Sequence, residues 1–171
     1  MPGAHATVLE SDGRWRAGWA RHALLPLRVF LGVTFVYAGL NKLSDPAFFS
    51  ANASAPGSLV ATLHAVRDNS AVPRLVDLAL KNPDTIGHVI AFGELAVGLG
   101  TLVGLLSRLA ALGGALISLS LWLTVSWAST PYYYSNDLPY LMAWLPLVLA
   151  GAPYLSLDAL IARRRKRATA A

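Results

Sequence analysis

The chain has 171 residues, 55% of them hydrophobic and 13% charged, where soluble domains average about 45–50% and about 25%. Its mean hydropathy of +0.50 excludes a disordered chain and argues against an ordinary water-soluble domain. The absence of cysteine excludes a disulfide, a thiolate metal site or an iron–sulfur cluster built by this chain, and the charge of +5 gathers in Arg163-Arg164-Arg165-Lys166-Arg167 instead of forming a face for nucleic acid.

In chain order, residues 1–22 are polar and read as a cytoplasmic N-terminal segment. A bilayer core about 30 Å thick takes roughly 20 apolar helical residues, and four stretches have that length: about 23–43, 85–106, 108–127 and 138–160. The predicted fold is an all-α integral membrane protein, a four-transmembrane-helix bundle. The first span is not a cleavable signal, because Arg28 interrupts it and no Ala-x-Ala site follows. Between the first two spans, residues 44–84 are too many for a structureless loop. Leu59, Val60, Leu63, Val66 and then Leu75, Val76, Leu78, Leu80 predict short helices capping the outer end. Pro146 predicts a kink in the fourth span, and residues 161–171 form a basic cytoplasmic tail.

An even number of spans places both termini on one face. That face carries nine cations (Arg14, Arg16, Arg21, Arg108 and the five of the tail) and the other carries Lys42, Arg67, Arg74 and Lys81. Cations favour the cytoplasmic side, so both termini are predicted to be cytoplasmic. The tail then serves retention and contact with anionic lipid.

Ionisable groups inside a span face the bundle interior or a cavity. Helical spacing sets Arg28, Gly32, Phe35, Gly39 and Lys42 on one face of the first span and Gly87, Ala91, Glu94, Gly98 and Thr101 on one face of the second. The corresponding stripe of the third is Gly113, Ile117, Ser120, Thr124 and Trp127. In the fourth, Asp137, Tyr140, Trp144, Leu147, Gly151, Tyr154 and Asp158 share a face. Depth pairs Arg28 with Asp158 as a structural polar pair at the inner end. At the outer end it clusters Lys42, Asn41, Asn136 and Asp137, although capping of the fourth helix also accounts for Asp137. Glu94, near mid-membrane, is left without a partner at its own depth. It is either hydrogen-bonding glue to Ser120 or Thr124 or a proton acceptor and quinone contact reached past His88, itself either interfacial or a cavity wall. Trp127 and Tyr132–Tyr134 form either an interfacial aromatic belt or a stacking surface. No His, Asp or Glu spacing predicts a metal or haem site.

The order of Arg28…Gly32…Phe35…Gly39…Lys42, Glu94…Gly98…Gly104…Arg108 and Gly151…Leu157-Asp158 resembles the DoxX/DoxD superfamily of bacterial four-helix membrane proteins, over about residues 25–158. The long outer loop is closer to the DoxD-like members, which include the membrane subunit of thiosulfate:quinone oxidoreductase. The resemblance implies a plasma-membrane protein linked to quinone-dependent oxidation of sulfur compounds, with a quinone as cofactor and a second redox subunit or further copies of itself as partners. In that reading Glu94 handles the proton, and Lys42, Asn41, His88, Trp127 and Asp137 line the substrate or quinone site. Electron carriers come from a partner or from the quinone. A non-catalytic scaffold for redox partners and, behind it, a small transporter are the alternatives.

Overall fold

The computed structural model describes residues 22–152 and 154–168. Among them the chain is all helical: α1 (Leu25–Ser44), α2 (Leu59–Val66), a 3-10 turn (Arg67–Asn69), α3 (Pro73–Lys81), α4 (Pro83–Val103), α5 (Ser107–Thr124), α6 (Asp137–Ala150) and α7 (Leu157–Ala168). Arg14, Arg16 and Arg21 of the N-terminal segment lie outside the described residues.

Helix boundaries follow from local chemistry. Proline opens α1, α3 and α4, where its fixed φ suits the first turn and its missing N–H would have been unpaired anyway. Gly104 closes α4 in the left-handed region (φ 68°), its N–H donating to Gly100 O. Two helices, α4 with 21 residues and α5 with 18, are long and apolar enough to cross a membrane, at about 31 and 27 Å. α1 has the length at 20 residues but includes Arg28 and Lys42.

The predicted fourth span is shorter than expected. α6 runs through Pro146 and stops at Ala150 after 14 residues, about 21 Å. Gly151 (φ 69°, ψ −153°) then takes a conformation closed to other residues. The chain leaves the helical path, and Asp158 belongs to the separate helix α7.

α1 packs mainly on α4, α4 on α5, and α5 on α6, with α6 returning to α1. The α1–α4 seam is backbone against backbone. A Cβ at Gly98 would stand 2.6 Å from Val36 N and 2.8 Å from Gly32 O, and one at Gly39 would stand 2.6 Å from Ala91 O; small residues are what permit such an approach. Across the α5–α6 seam, Trp144, fully buried, lies over Gly114, where a Cβ would meet the indole at 2.3 Å. Phe35 meets Trp144 edge-on at 5.0 Å, and Leu31, Ala111, Ala115 and Leu147 complete this core.

The predicted faces of the first two spans are close to those that are buried. Arg28, Gly32, Phe35 and Gly39 are buried in α1, and Gly87, Ala91, Glu94, Gly98 and Thr101 in α4. α5 buries Ser107, Ala111, Gly114, Ala115, Ser118 and Thr124: Thr124 belongs to the predicted stripe and Gly113 of that stripe faces Val97 of α4, while Gly114, one residue on, faces Trp144 of α6, so the helix is packed on two sides. The outward faces are apolar. Val33, Val89, Phe92, Leu109, Leu116 and Leu149 are each more than half exposed, far beyond what a water-soluble surface carries as a continuous patch.

Residues 45–82 form a cap. Leu63, Val76 and Ala79 make a second small core against Ile86 of α4. The cap is tied to the bundle where the Ala71 N–H and the Ser70 hydroxyl donate to Leu123 O at 2.9 and 3.1 Å.

Candidate functional site

The close α1–α4 seam determines the polar geometry within the bundle. Gly39 seats α1 against Ala91 and Leu95, and Lys42, one turn further, extends its stem toward Glu94. Its Nζ donates to both carboxylate oxygens, at 3.0 Å to Oε1 and 2.8 Å to Oε2. The Glu94 side chain is 4% exposed and that of Lys42 is 24% exposed, so the pair is buried on the acid side and reachable on the ammonium side. Glu94 is therefore partnered, contrary to the expectation from depth. It is not bonded to the hydroxyls of the third helix: Ser120 donates to Ile117 O and Thr124 to Ser120 O.

A second carboxylate stands beside this pair. Asp137, the first residue of α6, accepts a hydrogen bond from the Ser126 hydroxyl, and its charge bears on both Lys42 and Glu94. Its role is thus lateral: Asn136 occupies the N-cap position, and no side-chain bond caps α6. Ser126 was not singled out by sequence. It sits in the turn after α5, and nothing in spacing ties it to a residue eleven positions away. Nearby in the chain, the Ser135 hydroxyl is buried without a partner.

The remaining predicted positions are more peripheral. Asn41 is exposed. His88 stacks on Phe49 at 4.3 Å, with Nδ1 2.9 Å from Asp84 O. Trp127 is 48% exposed and meets Trp122 edge-on at 5.4 Å. Among the described residues, no group of three or more His, Cys, Asp or Glu is placed to hold a metal ion.

Arg28 and Asp158, expected as a pair, bind different partners. Arg28, 6% exposed, donates to Tyr154 O at 2.8 Å and Leu155 O at 2.6 Å, taking two carbonyls of the segment that broke away from α6. Asp158 accepts from the Leu106 N–H at 2.9 Å and from the Ser107 N–H and hydroxyl, both at 2.8 Å, so it caps the start of α5. In return the Asp158 N–H donates to Gly104 O at 3.0 Å. Each bonds backbone that helix breaks leave unpaired, a kind of partner that side-chain matching by depth overlooks, although the Arg28 Nε stays buried without a hydrogen bond.

The family whose model matches the chain is DoxD, described as TQO small subunit DoxD, and the match covers residues 23–171. No curated protein and no solved structure matches.

Proposed function

The chain belongs to the DoxD family, whose members are membrane-associated, and on that premise we propose that it is the membrane subunit of a thiosulfate:quinone oxidoreductase in which Lys42, Glu94, Asp137 and Ser126 manage the proton. The observation that carries the reading is the count of charges in the cluster. Glu94 is bonded to the Lys42 ammonium, and Asp137, bonded to Ser126, stands near enough for its charge to bear on both, so two carboxylates face one ammonium in a bundle where each uncompensated charge is costly. A proton can be exchanged among the members of such a coupled group.

Reduction of a quinone takes up as many protons as electrons, and that is the chemistry the cofactor supplies. The donor set suits it. The Lys42 ammonium is reachable and can hold a carbonyl oxygen, the Ser126 hydroxyl is adjacent through Asp137, and Trp127 and Trp122 present flat apolar faces. Glu94 holds Lys42 in place and, after taking up a proton on a carboxyl oxygen, would hold it next to a quinone oxygen seated on the Lys42 ammonium. Asp137 is the second acid through which that proton is replaced. Electrons from thiosulfate are assigned to a partner subunit, since this chain has no cysteine for thiol or cluster chemistry.

The test is thiosulfate-dependent quinone reduction by the assembled complex in membranes. E94Q keeps the shape of the side chain but leaves the Lys42 ammonium one acceptor instead of two and cannot take up a proton, and is expected to lower turnover by about 100-fold or more with the subunit still present in the complex. Unchanged turnover would overturn the reading.

A scaffold role has one observation in its favour, the anchored cap with Leu75 and Leu78 exposed, beside Tyr132–Tyr134 exposed in the connection between α5 and α6. It predicts a silent E94Q and loss of the partner subunit when Leu75 and Leu78 are made polar.

A further inference from the structure

A groove of about 680 Å³ opens at the opposite end of the bundle from the cap, between the α4–α5 turn, the end of α6 and α7. We propose that this groove is a site for one anionic phospholipid, its phosphate held between Arg108 and Arg163.

The groove has the two chemistries such a lipid needs. Both arginines line it. The Arg108 stem lies across Gly151, where a Cβ would stand 3.2 Å from its Cγ and 3.4 Å from its Nε; only the absence of a side chain there lets the guanidinium lie along the groove. Guanidinium groups bind phosphate oxygens in a planar fork. Around them the groove is apolar and open: Leu106 and Leu109 are 62% and 63% exposed, and Ala150, Ala152, Ala159 and Ala162 line it. Acyl chains fit against that lining.

Among the described residues the groove is lined by two cations, Arg108 and Arg163, and one acid, Asp158, so it is net positive. Both oxygens of Asp158 are turned to the N–H groups of Leu106 and Ser107 and to the Ser107 hydroxyl. Charge complementarity therefore points to an anion, and the apolar lining to one carrying hydrocarbon. Basic pockets between membrane helices are a general basis for such recognition.

The experiment uses the full chain purified in a neutral detergent, with retained lipid counted by native mass spectrometry against phosphatidylglycerol, phosphatidylcholine and inorganic phosphate. One phosphatidylglycerol is expected to be held at least about tenfold more tightly than phosphatidylcholine. R108Q/R163Q should reduce that ratio to about twofold or less, and A162W, which fills the groove without changing charge, should do the same. R164Q, in the same basic run but away from the groove, should leave it intact. Circular dichroism confirms that each variant is folded. Equal binding of phosphatidylcholine, displacement of the lipid by inorganic phosphate, or an equal loss in R164Q would overturn the proposal.

Discussion

At the residue scale, the polar side chains of this bundle do two different kinds of work. Lys42 with Glu94 and Ser126 with Asp137 form two bonded pairs across three helices and a turn, whereas Arg28 and Asp158 bond backbone. Asp158 illustrates the second kind. Burial acts to raise its pKa, but the Ser107 N–H and hydroxyl and the Leu106 N–H outweigh it and hold the carboxyl below its ordinary value. The ionised form is thus favoured in the folded state. Its contribution is complete above the unfolded carboxylate pKa of about 3.9 and is lost as pH falls through the lower folded value. D158A, which leaves two amides and a hydroxyl without their acceptor, is expected to cost about 1–3 kcal/mol at neutral pH. The difference from the native chain should shrink toward zero in acid, as thermal unfolding in detergent across pH would record.

At the element scale, the seams are set by glycine. G98V places a branched side chain against Val36 N and Gly32 O. Because the obstruction is backbone on both sides, α1 must move away, at a cost of about 1–3 kcal/mol or more. Lys42 moves with α1, so G98V should lose quinone reduction as well as stability, while V89A, on the exposed outer face of α4, should lose neither. Paired assays of melting temperature and turnover check this.

Much of this level was legible in the sequence, since glycine spacing and the few charges set the faces of α1 and α4. What was not legible has physical causes. The reach of a lysine stem brought Lys42 down to Glu94, a distance that residue depth alone does not register. The stripe predicted for α5 is one of two packed faces, since Gly113 meets Val97 of α4 and Gly114 meets Trp144 of α6, and spacing alone does not reveal that a helix is packed on two sides. The length of α6 was overestimated because apolar composition continues past Gly151, where backbone conformation ends the helix.

At the scale of the whole molecule, α4 and α5 have the length and apolarity to cross a membrane. The four-span expectation adds α1 and α6, whose outer faces are also apolar, and sidedness tests it. Because the chain has no cysteine, single introduced cysteines report sidedness without background. With both termini cytoplasmic, A51C and A128C should react with an impermeant maleimide applied from outside intact cells, and A6C and A168C only after lysis. Reaction of A6C from outside would mean that α1 does not cross. The basic end, with Arg108 in its turn and the cations of α7, would then no longer share a side with the N-terminus.

The hydrogen bonds of Arg28 also impose an order on biogenesis. Its carbonyl acceptors lie 126 and 127 residues further along the chain, so during synthesis the guanidinium of the first helix among the described residues is without them until that later segment has been made. Closing so long a loop is a late step, and it is the one that joins the two ends of the sequence. A chain ended after Ala150 would retain every helix of the bundle yet strand a buried cation, and such a product is expected to be cleared by proteolysis in pulse-chase labelling while R28L in the same truncated chain persists longer.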